Sequence, residues 1–61
     1  MIAQGWYLQA TPEPISGTKT VSETLRVADS KGYKAVRIEI ENGADIYRKI
    51  AGEWTYFAFV A

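Results

Sequence analysis

Apolar and polar residues alternate along the segment that begins at Lys34. Val36, Ile38 and Ile40 occupy every second position, and charged residues stand between them. A period of two is typical of a β-strand that buries one face. This segment is the clearest strand in the sequence.

Turn signals divide the rest of the chain into a three-stranded meander. The first signal is Asn42-Gly43. The loop length is chosen so that apolar residues share one face of both strands, because a sheet of this kind buries one face. A three-residue loop, Glu41-Asn42-Gly43, satisfies this condition by pairing Ile38 with Ile46 and Ile40 with Ala44.

The second turn signal is Ala51-Gly52. A two-residue loop there predicts four cross-strand pairs, namely Lys49 with Trp54, Tyr47 with Tyr56, Ile46 with Phe57 and Ala44 with Phe59. Both predicted registers then place apolar residues on the same face of the sheet. That face carries Val36, Ile38, Ile40, Ala44, Ile46, Phe57 and Phe59, and we expect the helix to cover it.

A helix is predicted before this meander. Thr20-Val21-Ser22-Glu23 has the capping-box pattern, in which the threonine hydroxyl accepts a hydrogen bond from the amide of Glu23. Apolar residues recur at helical spacing from Val21 to Ala28, and Lys31-Gly32 supplies a glycine stop. We expect the helix to span about Val21 to Lys31. A helix this short needs packing against the sheet to be stable.

The amino-terminal segment, Ile2 to Ala10, is rich in aromatic and aliphatic residues and predicts one more strand, whose register and place in the sheet stay open. The prolines that follow predict a loop from Thr11 to Lys19. The whole chain, residues 1–61, is therefore predicted to be a small single α+β domain. Its order is strand-helix and then a three-stranded antiparallel meander (β-α-β-β-β), with one helix packed on one face of the sheet.

Composition narrows the range of functions. The chain has 61 residues, no cysteine and no histidine, and its seven Lys and Arg balance seven Asp and Glu. The commonest general acid–base group is thus missing, as are disulfides and most zinc sites. We expect a protein that is not an enzyme, with no cofactor and no metal. No apolar run approaches the roughly 18 residues that span a bilayer, so we expect a cytoplasmic protein without membrane contact.

The second face of the predicted meander carries aromatic and basic side chains that no predicted element covers. Aromatic rings beside cations are enriched in protein interfaces and in platforms on which single-stranded nucleic acid stacks. Cross-strand stabilisation of the sheet alone is the competing interpretation. We predict that the partner-binding face consists of Arg37, Tyr47, Lys49, Trp54 and Tyr56.

Three carboxylates gather at the tip of the first predicted hairpin, namely Glu39, Glu41 and Asp45. The chosen register sets Glu39 opposite Asp45, where like charges destabilise a strand pair unless a basic partner compensates. We interpret the three residues as a secondary acidic patch, and a solvated acidic edge is the alternative. Three carboxylates on a hairpin make a poor calcium site.

These features favour a small protein-binding module that acts as an adaptor or inhibitor of a larger protein, of the kind that phages and other mobile elements encode. Two alternatives stay open. The same rings could bind single-stranded nucleic acid weakly, although the neutral net charge disfavours this. The apolar last strand, Trp54 to Val60, could instead pair with another chain and form a homodimer or a self-assembling structural subunit.

Overall fold

The computed structural model describes all 61 residues, which form one α-helix and five β-strands. In chain order the elements are β1 (Ala3–Trp6), β2 (Glu13–Ile15), α1 (Val21–Ser30), β3 (Ala35–Ile40), β4 (Gly43–Ile50) and β5 (Glu53–Val60). All neighbouring strands are antiparallel, and their order in the sheet is β2-β1-β3-β4-β5. The predicted α+β class with one helix is confirmed, but the sheet has five strands instead of the predicted four.

Local capping signals define both ends of α1. The Thr20 hydroxyl accepts a hydrogen bond from the Glu23 amide at 3.1 Å. At the other end Gly32 adopts a left-handed conformation, φ 79°, and its amide donates to the Asp29 carbonyl at 3.1 Å. This bond satisfies one of the last helical carbonyls, so the predicted helix is confirmed to within one residue. The helix does not combine the length and the apolar character that crossing a membrane requires.

The proline-rich segment forms an edge strand and not the predicted loop. Glu13–Ile15 pairs with β1, and Pro14 lies opposite Gln4. Proline has no amide hydrogen to donate, which a sheet tolerates at its edge because one side of an edge strand faces solvent. β1 is shorter than the predicted Ile2–Ala10 because the chain turns after Trp6, and it lies between β2 and β3.

The register between β3 and β4 differs from the predicted one. Ile38 lies opposite Asp45 instead of Ile46, because the connecting loop is Glu41-Asn42 and has two residues, not three. A shift of one residue turns every side chain of a strand to the other face of the sheet. The side chains of β4 therefore point to the faces opposite to those predicted.

Gly43 explains why the loop is shorter than predicted. Gly43 pairs with Ile40, which was predicted to lie opposite Ala44. A Cβ atom on Gly43 would lie 2.1 Å from the Val60 carbonyl oxygen, so the close approach of β5 requires glycine at this position. Gly43 belongs to the strand ladder, whereas the prediction placed it in the loop.

A β-bulge in β5 changes the register a second time. On the turn side of the bulge two predicted pairs are confirmed, Lys49 with Trp54 and Tyr47 with Tyr56. Beyond it Ile46 lies opposite Ala58 and not Phe57, so Phe57 is the additional residue of the bulge. Ala44 consequently lies opposite Val60 and not the predicted Phe59.

The core lies between α1 and the half of the sheet formed by β2, β1 and β3. Its buried cluster consists of Ala3, Ile15, Ala28, Tyr33, Val36 and Ile38. Gly5 makes room for the one aromatic ring, since a Cβ atom there would lie 2.4 Å from Cδ2 of Tyr33. The Tyr33 hydroxyl donates to Glu13 at 2.8 Å, and this bond raises the pKa of the tyrosine. The ring is thus fixed at both ends.

We expect Gly5→Ala to lower the free energy of unfolding by about 1–3 kcal/mol, because the added methyl group forces the Tyr33 ring to move. The control is the same substitution in a Tyr33→Leu background, where the ring that the new Cβ would meet is absent. Urea denaturation of the four chains gives the coupling between the two positions, and an equal loss in both backgrounds would contradict tight packing of Tyr33 on Gly5.

Candidate binding surface

The two faces of the sheet have different surroundings. Residues directly opposite each other on neighbouring strands share a face, so the register assigns each side chain. α1 packs on the face that carries Ala3, Val36 and Ile38, which we call the helix face. No helix lies on the other face, which we call the open face. Its larger side chains are Trp6, Ile46, Arg48, Ile50, Phe57 and Val60.

The residues predicted to form one binding face lie on both faces. Four of them lie on the helix face, namely Tyr47, Lys49, Trp54 and Tyr56. Tyr47 is opposite Val36 of the core, whereas Arg37 is opposite Ile46 on the open face. The prediction that all five share one uncovered face is therefore wrong. The shift of register in β4 brought the aromatic residues to the side of the helix.

Lys49 and Trp54 are engaged in contacts within the chain. The Lys49 ammonium donates to the Asp29 carboxylate at the end of α1 and lies 5.1 Å from the centre of the Trp54 ring. The hydrogen bond from Lys49, with the charge of the ammonium group, lowers the pKa of Asp29. The indole N–H of Trp54 lies on the same side of the sheet. That N–H is buried and forms no hydrogen bond of its own, and the ring packs against the core. The two residues thus tie the β4–β5 hairpin to the helix.

Tyr47 and Tyr56 form a second pair on the helix face. Their ring centroids are 5.5 Å apart at an angle of 78°, an edge-to-face arrangement. Tyr47 packs against the core, while Tyr56 is 53% exposed. Burial of its hydroxyl and a 3.1 Å hydrogen bond to Asp45 raise the pKa of Tyr56. Of the four predicted residues on this face, Tyr56 offers the most surface to a partner.

The predicted acidic patch is also divided between the faces. Glu39 lies on the open face, opposite Ala44, and pairs with Arg37 at 3.4 Å. Asp45 lies on the helix face and accepts from a tyrosine hydroxyl, while Glu41 is exposed in the loop. The predicted opposition of Glu39 and Asp45 is therefore wrong. In the observed register each of these two carboxylates has a favourable partner.

The open face exposes large apolar side chains. Ile50, Phe57 and Val60 are 47%, 55% and 40% exposed, and Trp6 and Ile46 are half-buried. The guanidinium of Arg48 lies 4.8 Å from the centre of the Phe57 ring and is paired with no carboxylate. Aromatic and aliphatic groups around an arginine are typical of the centre of a protein interface.

Sequence reasoning missed the open face because it assigned Ile46 and Phe57 to the surface under the helix. One signal in the sequence could have corrected this assignment. The residues that alternate with Ile46 in β4 include Tyr47 and Lys49. Long amphipathic side chains suit the rim of a small core, because their apolar stems pack while their polar ends reach water.

The surface has no cavity that would enclose a small ligand, and no three acidic side chains are placed to hold a metal ion. Comparison of the chain with protein-family models, with curated proteins and with solved structures found no significant match. The surfaces that the fold leaves to a partner are the open face, the sheet edges and the part of the helix face beyond α1, where Ile40, Tyr56 and Phe59 are exposed.

We expect Trp54→Ala to lower the free energy of unfolding by about 2 kcal/mol, because it removes a ring that packs on the core and carries the Lys49 contact. Trp6→Ala is the control, since Trp6 is also half-buried but lies outside the core cluster. Urea denaturation compares the two variants. A loss for Trp54→Ala that is no larger than the loss for Trp6→Ala would contradict packing of the Trp54 ring on the core.

The Asp29–Lys49 pair predicts a pH dependence of stability. The pKa of Asp29 is lowered from its ordinary value of 3.8, so ionised Asp29 stabilises the fold above that value, and the contribution is lost as the pH falls through the lower folded-state pKa. Between about pH 5 and about pH 2 we expect the melting temperature of Asp29→Asn to fall less than that of the unaltered chain.

Glu41→Gln is the control for this experiment, since Glu41 is an exposed loop carboxylate without an ion pair. It should keep the pH dependence of the unaltered chain. An unchanged dependence in Asp29→Asn would show that the salt bridge does not contribute to stability.

Proposed function

We propose that this chain is a non-catalytic protein-binding module of the cytoplasm, which attaches to a larger protein through the open face as an adaptor or inhibitor. The observation that carries the proposal is the exposure of Ile50, Phe57 and Val60 on a sheet face that no helix covers. Several large apolar side chains exposed on one uncovered face are a common mark of an interaction site.

The charges of the open face indicate the chemistry of the partner. Arg37 is neutralised by Glu39, whereas Arg48 has no carboxylate partner and stands over Phe57. If a partner covers the open face, Arg48 leaves water and needs a hydrogen-bond acceptor, because burying an unpaired charge is costly. The partner is therefore a protein surface with an apolar patch and a carboxylate placed to receive Arg48.

The open face favours a protein over single-stranded nucleic acid. Nucleic-acid platforms combine stacked rings with cations that neutralise phosphates. Here aliphatic side chains such as Ile46 and Ile50 separate the rings, Arg48 is the one unpaired cation on this face, and the net charge of the chain is zero. The rings first predicted to stack bases, Tyr47 and Trp54, pack against the core.

The test uses two phenylalanines of β5 that lie on opposite faces. Phe57 is 55% exposed on the open face, and Phe59 is 48% exposed on the helix face, opposite Asp45. Tagged unaltered chain, Phe57→Ser and Phe59→Ser are incubated with lysate of the source cells, with and without nuclease treatment. We expect the unaltered chain and Phe59→Ser to retain the same protein, and Phe57→Ser to lose about 30-fold in affinity, as for a central interface residue.

Far-UV circular dichroism controls for folding, which exposed positions should tolerate. Equal retention by Phe57→Ser would contradict the open face as the binding surface. Loss in Phe59→Ser alone would move the site to the helix face. A signal that disappears with nuclease would instead favour the nucleic-acid alternative.

A further inference from the structure

The sheet ends in two very different edge strands. β2 has three residues and includes Pro14 and Glu13, both of which discourage pairing with another chain. β5 has eight residues, no proline and Glu53 as its one charged residue. Proteins usually protect such edges with lysine, proline, short strands or bulges, and β5 has only the bulge at Phe57. The edge of β5 before the bulge is therefore available to an additional strand.

The regular part of this edge lies before the bulge, from Glu53 to Tyr56. The amide of Lys49 donates at 2.9 Å to the carbonyl of Lys34, which immediately precedes β3, and therefore not to β5. Lys49 lies opposite Trp54, so this pair is a non-hydrogen-bonded rung of the β4–β5 ladder. Because rungs alternate, the N–H and C=O groups of Trp54 and Tyr56 point away from β4. Two donors and two acceptors thus face outward.

We propose that a second copy of this chain occupies this edge, in an antiparallel pairing of β5 with β5 centred on Thr55. In this register Trp54 lies opposite the partner's Tyr56 and exchanges two hydrogen bonds with it. The two-fold axis repeats the exchange, which gives four hydrogen bonds. Thr55 lies opposite the partner's Thr55 on the axis.

Three properties of the chain favour a copy of itself over another strand. The side chains are self-complementary, since aromatic pairs and a Thr–Thr pair are favourable across antiparallel strands. The two Glu53 carboxylates lie at opposite ends of the pairing and do not repel each other. The net charge of zero adds no long-range repulsion between copies.

The difference between the edges also limits the size of the assembly. Each copy offers one free edge, because β2 is short and contains proline. Pairing of the two β5 strands uses both free edges, so the assembly closes at two copies and does not grow into a fibre. An antiparallel pairing has its two-fold axis perpendicular to the sheet, so both helices lie on one side and both open faces on the other.

The experiment is sedimentation of the full chain at concentrations up to about 1 mM, since a pairing of four hydrogen bonds is weak. Tyr56→Pro removes the ring and an outward N–H, while Tyr56→Ala, its matched control, removes the ring alone. We expect the mass of the unaltered chain to rise from 6.8 kDa to twice that value. Tyr56→Pro should dissociate at least about tenfold more readily than Tyr56→Ala, because it loses two of the four hydrogen bonds.

Thr55→Lys provides a second test that does not depend on how the fold tolerates proline. Thr55 is exposed, and its replacement sets two lysines opposite each other on the axis, so the dimer should dissociate. Thr55→Val keeps the shape of the side chain and should leave the dimer intact. If Tyr56→Pro does not fold, sedimentation of Thr55→Lys and Thr55→Val still tests whether β5 pairs with β5.

The proposal would be overturned by an unaltered chain that stays monomeric at every concentration, by one that grows beyond two copies, or by a dimer that survives Thr55→Lys. Phe57 lies outside the two hydrogen-bonded rungs, so Phe57→Ser should leave the dimer intact. Loss of the dimer in that variant would place the contact between copies on the open face. Failure of the dimer and failure of the proposed binding function are thus distinguishable.

Discussion

The length of α1 limits how much of the sheet this chain can bury. Ten residues of helix reach about 15 Å, whereas five strands measure about 19 Å across and an eight-residue strand about 26 Å along its axis. One short helix therefore covers the β2-β1-β3 half of one face. The hairpin of β4 and β5 extends beyond it, and the apolar residues of that hairpin stay at the surface.

The short helix also explains which residues of β4 lie at the border of the region that α1 covers. Tyr47 and Lys49 stand where the core meets solvent, so their apolar stems pack while the ammonium group reaches Asp29 of the helix. Had Ile46 taken this position, its side chain would have lacked any polar link to α1. The register of β4 thus joins the hairpin to the helix and leaves Ile46 on the open face.

Features set by local chemistry were predictable from the sequence, and features set by the balance between the two faces were not. The Thr20 cap and the turn at Ala51-Gly52 depend on neighbouring residues, and both are confirmed. β4 has two alternating sets of side chains, and each set contains apolar groups. Which set faces the helix depends on how far the core extends across the sheet, and the sequence pattern does not give that distance. β2 was missed because proline excludes a central strand but not an edge strand.

The constraint on burial also links the two surfaces proposed for partners. A chain of 61 residues without cysteine has a small core and no disulfide to support it, so any surface that binds another molecule adds to its stability by mass action. Edge pairing through β5 leaves the open face uncovered and sets two copies of it side by side. A partner that contacts both copies would bind more tightly than one that contacts a single copy, because the second contact is intramolecular. Weak pairing of two copies through β5 and weak binding of a partner by the open face would then each increase the affinity of the other.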